Sequence, residues 1–280
     1  MRDWLIYRTF WDLTVTGVAL GSIYALVALG YTLVYGVLRL INFAHSEIFM
    51  IGTFASLITA TNVLGLPMLE AGDYPYRTGF QLVLILLACL LGSMVLSGAG
   101  AVALDRAAYR PLRGSGDQFG AIVLAFVTAF VVGLVFFDTP KSNLIFGIIG
   151  TGLIAWMYLN IFRRGRQAPR LAFLISAIGA STAITEAVAI WGPRDREQYQ
   201  TPRVLEKKTL FQLFGTDIRI DYVIVIIGAL LMMTALLLFV NRTRLGRGVR
   251  AVAQDVETAK ILGVNVDFVI LITFLLGGVM

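Results

Sequence analysis

Eight long apolar runs divide this chain of 280 residues: 13–38, 48–66, 80–104, 119–137, 144–162, 171–191, 221–240, and 266 to the end. An α-helix needs about 20 consecutive apolar residues to cross a hydrocarbon core about 30 Å thick. Most of the runs reach that length. The composition agrees, with 58% hydrophobic and 14% charged residues, against about 45–50% and 25% in a soluble domain. The expected fold class is all-α: a polytopic integral membrane helical bundle of about eight hydrophobic segments, forming one transmembrane domain over 1–280.

The net charge of +6 does not point to nucleic acid, because the basic residues gather in a few short loops. "YRPLRGSGD", "RRGRQAPR" and "NRTRLGRGVR" follow the third, fifth and seventh runs. Short loops rich in Lys and Arg stay on the cytoplasmic side. Loops 39–47, 105–118, 163–170 and 241–265 are therefore expected inside. The connections 67–79, 138–143 and 192–220 are expected outside, with the N-terminus, and the last has room for a small external element. "MRDWLIYRTFWDL" lacks a cleavable signal pattern, since Asp3, Arg8 and Asp12 interrupt any apolar region, so the first long run is expected to be retained as a helix. The single Cys89 excludes an intrachain disulfide and a multi-cysteine metal site.

Small residues mark expected helix contacts. Gly17 and Gly21 form a GxxxG pair, the spacing that lets membrane helices approach closely.

"RLINFAHSEIFMIG" holds the only histidine, His45, with Asn42 and Glu47 beside it. Three uses are open: a polar helix boundary at which Asn42 or Ser46 satisfies orphan backbone groups, an element of a transport path or gate, or catalysis. His45 and Glu47 are two apart and face different ways on a helix, so no metal site is expected from them. The chain also lacks the phosphate-loop, H-E-x-x-H and G-x-S-x-G patterns. No cofactor and no ATP hydrolysis are expected in this chain. Glu186 is another candidate for the pathway, since a carboxylate within a membrane run is costly. Counted from Leu171, it falls about 22 Å along its helix, near the outer boundary.

The second informative stretch is "RTRLGRGVRAVAQDVETAKILGVNVDFVI". Apolar residues at Val249, Val252, Ala253, Val256, Ala259 and Leu262 predict one amphipathic helix near 248–263. Gly263 suits a left-handed helix end, and Asn265 or Asp267 a cap for the next helix. Such a helix either lies on anionic lipid or docks on a partner protein. Asp255 and Glu257 dilute its basic face and favour the partner.

Four segments in order, "GVALGSIYALVALGYTLVYGVLRLINFAHSEIFMIG", "RPLR", "LISAIGAS" and "RTRLGRGVRAVAQDVETAKILGVNVD", resemble inner-membrane permeases of branched-chain amino acid ABC transporters of the high-affinity leucine/isoleucine/valine type. They cover roughly half of the chain. The resemblance implies a multi-pass subunit of a bacterial plasma (inner) membrane, paired with a second, homologous permease, two ATPase subunits and an external substrate-binding protein. It makes 248–263 the element that couples to the ATPase, through Val249, Val252, Val256, Ala259, Asp255, Glu257 and Gly263. It also makes Asn42, His45 and Glu47 part of the family's signature stretch, more architectural or gating than catalytic.

Three departures accompany the resemblance. Ser46 replaces the family's usual glycine and is strained if that position needs positive φ. About fifty residues separate "RPLR" from "LAFLISAIGAS", an insert that predicts an extra helical hairpin at 114–168. The final run is short, and the family continues beyond it, so a truncated C-terminus is expected. Two alternatives accompany the transport reading: a related importer of urea or short amides, and an intramembrane enzyme or sensor using His45, Glu47 and Glu186.

Overall fold

The computed structural model describes residues 2–66, 79–110, 170–191, 205, 208–213 and 216–280. Its elements are α1 (Arg2–Leu38), α2 (His45–Ile58), α3 (Phe80–Leu104), α4 (Arg170–Trp191), β1 (Thr209–Leu213), β2 (Thr216–Arg219), α5 (Ile220–Arg242), α6 (Arg244–Gln254), α7 (Val256–Ile261) and α8 (Val266–Val279). Six of the eight apolar runs fall on these helices. The other two, 119–137 and 144–162, lie with the expected hairpin outside the described residues, as do most of the loops 105–118 and 163–170.

Among the described residues, three helical stretches are long and apolar enough to cross a membrane: Thr9–Leu38, Phe80–Tyr109 and Ile220–Arg242. α3 lies between α2 and α8, and α1 packs on α5 and α8. Large apolar side chains of α3 such as Val83, Leu87, Leu91 and Val95 remain exposed, as expected of helices whose outer surface meets lipid. α1 begins well before the first apolar run. Its 37 residues extend about 55 Å at 1.5 Å per residue, more than the roughly 40–45 Å of a bilayer with its headgroups. α8 is shorter, at 14 residues.

Two helices end in π turns. Thr59–Val63 continues α2, and Asp105–Tyr109 continues α3. The second turn carries Tyr109 to a position with no exposure at all. β1 and β2 pair antiparallel, with Phe211 opposite Ile218 and Leu213 opposite Thr216. This small hairpin lies within the long 192–220 connection and is the one departure from an all-helical pattern among the described residues. Thr16 on α1 donates from its hydroxyl to that of Tyr222 on α5, at 3.4 Å, at the same end.

The core sits at the opposite end. Val34, Val37, Ala44, Ile48, Tyr109, Val252 and Phe274 belong to one buried cluster, so the end of α1, the start of α2, the end of α3 and the α6 helix share it. Close approach of α1 and α8 is made at Gly30 and Gly277. A Cβ on Gly30 would stand 2.9 Å from the Gly277 carbonyl oxygen. The GxxxG pair takes no part in this contact: a Cβ at Gly17 or Gly21 would meet nothing within 4 Å among the described residues. The neighbours of α1 occupy the face carrying Gly30, and spacing alone does not say which face a neighbour takes.

Candidate functional site

Two sites drawn from separate parts of the sequence meet at the core end of the bundle. The first is the start of α2. Asn42 is buried, and its Oδ1 accepts from the Ala44 N–H at 3.1 Å and from the Tyr109 hydroxyl at 2.8 Å. Its own carbonyl accepts from the His45 N–H at 3.2 Å. Asn42 thus satisfies backbone donors that a helix start leaves without partners, and it pins the end of α3 to that start. Tyr109 also lies against the Phe274 ring of α8 (centroids 5.1 Å apart) and the Phe173 ring of α4 (6.4 Å). One tyrosine therefore joins four helices.

His45 is buried edge-to-face against Tyr31, with centroids 5.5 Å apart. Its Nε2 lies 2.9 Å from where a Cβ on Gly30 would stand, so the ring fills the space that glycine leaves. Glu47 accepts from the Ser181 hydroxyl of α4 at 2.7 Å and from the Ser46 hydroxyl at 2.9 Å. Glu186 lies on α4 five residues beyond Ser181, partly exposed, about 7.5 Å further along the helix. The Glu47 charge acts on His45, and Glu186 sits beyond the serine that Glu47 holds. No group of three metal-ligating side chains occurs among the described residues.

The condition for strain at Ser46, a positive φ, is not met. Ser46 has ordinary helical backbone inside α2. Positive φ falls instead on Arg39, at 52°, the one non-glycine residue so placed among the described residues. Arg39 ends the turn after α1, and its guanidinium crosses to the second site. Nη2 donates to the carbonyls of Ala253 at 3.2 Å and Gln254 at 2.8 Å. These are terminal carbonyls of α6, where a helix lacks internal donors and favours a cation.

The second site corrects the expectation of one helix near 248–263. Asp255 divides the stretch, with extended backbone at φ −152° and ψ 116°. Its Oδ1 accepts from the N–H groups of Glu257 at 2.9 Å and Thr258 at 3.3 Å, and its Oδ2 from the Thr258 hydroxyl at 2.8 Å. Aspartate gains more as an N-cap than inside a helix, and Arg39 takes the carbonyls freed by the break. The Thr258 hydroxyl, the backbone N–H groups and then the Arg39 charge hold the Asp255 carboxyl below its usual pKa. The cap is therefore fully formed at neutral pH and is released only as pH falls through that lowered value.

Both short helices are well delimited. Thr243 caps α6 by accepting from the Gly246 N–H at 2.9 Å. Gly263, at φ 82°, closes α7 with the Gly263 N–H on the Lys260 carbonyl and the Val264 N–H on that of Ala259, both 3.0 Å. This paired arrangement satisfies two orphan carbonyls through a left-handed residue. Asn265 caps α8 by accepting from the Phe268 N–H at 3.1 Å.

The apolar stripe faces inward. Val249, Val252 and Ala259 are buried in the core cluster, and Val256 packs against it. They were expected to contact an ATPase, but their side chains are occupied by this chain's own bundle. Asp255 and Glu257 are exposed. Leu262 leaves the stripe because the Gly263 turn redirects the chain, and Ile261 and Leu262 are 85% and 74% exposed. Sequence reasoning missed Tyr109, Ser181 and the bridging role of Arg39. Tyr109 precedes "RPLR" directly, but nothing in the sequence pairs it with Asn42, 67 residues away.

The chain spans 65% of the length of the curated relatives it matches. It is 30% identical over 266 residues, 94% of this chain, to the high-affinity branched-chain amino acid transport system permease protein BraD of Pseudomonas aeruginosa. It is 31% identical over 270 residues, again 94% of this chain, to the protein of the same description, LivH, of Escherichia coli K12. The LivH protein of Salmonella typhimurium is 30% identical over 270 residues, with the same coverage of both chains. No solved structure is detectably similar to the chain. The pattern described as "Branched-chain amino acid transport system / permease component" matches residues 13–280, and the chain belongs to that family of membrane permeases.

Proposed function

We propose that this chain is a membrane-spanning permease subunit of an ABC importer for branched-chain amino acids in a bacterial inner membrane. Its partners are a second, homologous permease, two ATPase subunits and an external substrate-binding protein. The family membership and the names of the relatives support the substrate class. The observation that carries the mechanism is the bridge from Arg39 to Ala253 and Gln254. It ties the α6–α7 break to the turn after α1, three residues before Asn42 of the Asn42–Tyr109 junction. ATPase closure presses on the exposed tip at Ile261 and Leu262. The buried stripe of α6 and α7 moves with it, and the displacement reaches α1, α3 and α8 through Arg39, Tyr109 and Phe274.

The orientation follows the same logic. The segments 105–110 and 241–265 belong to cationic loops, and they meet the segment 39–47, which carries Arg39, at one end of the bundle. That end is cytoplasmic. The β-hairpin and the start of α5 are then external. Asn42, His45 and Glu47 act as architecture at the cytoplasmic end of the path, and Glu186 lies further towards its external mouth.

The test is co-reconstitution of the full-length permease pair, the ATPase subunits and the binding protein in liposomes. ATP hydrolysis and uptake should rise with leucine, isoleucine or valine. A response to urea or acetamide alone would assign the chain to the amide importers. Chemistry by the isolated chain that disappears in His45→Ala would replace transport with enzymatic activity.

A further inference from the structure

α6 and the start of α8 flank an open cavity of about 350 Å³ at the end of the bundle where α5 leaves its apolar stretch. Arg244 and Arg247 line it, with Asn265, and Leu245, Val264 and Phe268 supply apolar wall. No carboxylate lines it. Neither guanidinium has a partner among the described residues, unlike Arg250, which donates to the Val240 carbonyl at the end of α5, and Arg39, which holds the end of α6. Phe268 and Leu245 are 45% and 37% exposed at the rim. Two arginines without a partner among the described residues therefore sit over an apolar wall, beside the first turn of α8, which begins with a cap and carries Asp267 outside the cavity lining.

We propose that this cavity binds the phosphodiester headgroup of an anionic phospholipid of the cytoplasmic leaflet. Arg244 and Arg247 take the phosphate oxygens, and the acyl chains run along Phe268 and Leu245 into the bilayer beside α8. The site rests on the cytoplasmic orientation given above. A soluble acidic partner would use the arginines equally well, but it would gain less from the wall of Leu245, Val264 and Phe268. Guanidinium groups match phosphate oxygens in paired geometry, and basic pockets between membrane helices on the cytoplasmic side recognise anionic headgroups. The break at Asp255 makes this possible. It places Asp255 and Glu257 on α7, so their charge does not dilute the arginines of α6.

The experiment uses the full chain alone, without ATPase or transport substrate, so it is independent of the uptake assay. The protein is purified into nanodiscs of phosphatidylcholine with or without phosphatidylglycerol, and retained lipid is measured by native mass spectrometry. The native chain should retain phosphatidylglycerol selectively. The double variant Arg244→Gln/Arg247→Gln should lose about 30-fold in preference, from the usual contribution of one basic residue near an anionic surface applied twice. The single variant Arg247→Gln, for use if the double variant does not fold, should lose about fivefold. Lys260→Gln, a basic residue of α7 outside the cavity, should retain the preference. Glycerol phosphate, the headgroup without tails, should compete poorly.

Equal retention of the two lipids by the native chain would overturn the proposal, and so would loss of preference in Lys260→Gln to the same degree. Full competition by glycerol phosphate would make this a site for soluble anions. Lipid retention unchanged in both arginine variants would refute the lipid site.

Discussion

α6 and α7 are adjacent, short and amphipathic, and each buries one face on the same core, through Val249 and Val252 in α6 and Ala259 in α7. Their outer faces differ. α6 presents Arg244 and Arg247, with no acidic residue in its span. α7 starts from a carboxylate cap and ends in the bare side chains of Ile261 and Leu262. The inner faces hold the two helices on one bundle. The outer faces separate a cationic surface on α6 from an apolar tip on α7. One continuous helix would mix both sets of residues around one axis. The cap at Asp255 rotates them apart.

The strongest way to break the comparison is to remove the turn on which both helices depend. A Cβ on Gly246 would stand 2.3 Å from the carbonyl oxygens of Phe239 and Val240. These are backbone atoms of α5 and cannot move aside alone. Gly246→Ala should cost more than about 4 kcal/mol, the range reserved for severe steric or buried-polar defects, and should abolish recovery of folded protein from the membrane. Normal yield and thermal stability would mean that the turn opens freely, and α6 would not be fixed as described.

Next in size is the shared inner face. Ala259 is 1% exposed, so Ala259→Asp buries a charge with no partner, at a cost of about 3 kcal/mol or more. Val252→Asp should behave alike. Both should insert and yet lose the compact cytoplasmic end, seen as faster proteolysis within 244–264, and ATPase assembly should fail as a consequence. Stable chains that fail only in assembly would show that the stripe touches the partner directly, contrary to its burial.

How much of this was legible in the sequence differs from place to place. The helices of the apolar runs were, because length and hydropathy act locally. Gly263 and Asn265 were, because a left-handed closure and an N-cap each use one residue type at one offset. The break at Asp255 was not, although aspartate is a familiar cap. The apolar spacing continues across it at intervals of three and four, and only the bridge from Arg39 shows why interruption is favoured. The Asn42–Tyr109 hydrogen bond and the contact of Gly30 with Gly277 are tertiary. GxxxG spacing at Gly17 identified a helix able to pack closely, but not the face on which its neighbours lie.

The outer face of α7 offers a cleaner separation. Ile261→Ser with Leu262→Ser removes apolar surface that nothing among the described residues covers, so stability should change by less than about 0.5 kcal/mol. If this tip is the ATPase contact, affinity for the ATPase should fall about 30-fold, as for loss of one interface hot spot. The lipid preference of α6 should remain. Unaltered ATPase binding would move the docking surface elsewhere, with Glu257 the next residue to test.

The smallest expected effect is at Arg39, where two terms oppose each other. A non-glycine residue at φ 52° carries a backbone cost of about 1–2 kcal/mol. Its hydrogen bonds to the Ala253 and Gln254 carbonyls return about 1 kcal/mol each at most, and less for an exposed side chain. Arg39→Gly relieves the strain and loses the bridge, so the melting temperature should stay within a few degrees. Arg39→Ala keeps the strain and loses the bridge, and should be the less stable of the two. Hydrogen exchange at Asp255 and Val256 should quicken in both variants, because the end of α6 has lost its donor. Slower uptake in Arg39→Gly, with folding and ATPase binding unchanged, would identify the bridge as part of the transmission path. Uptake equal to that of the native chain would leave Arg39 a local clamp, and motion would then pass from α6 to α8 through the buried contacts of Val252 and Phe274.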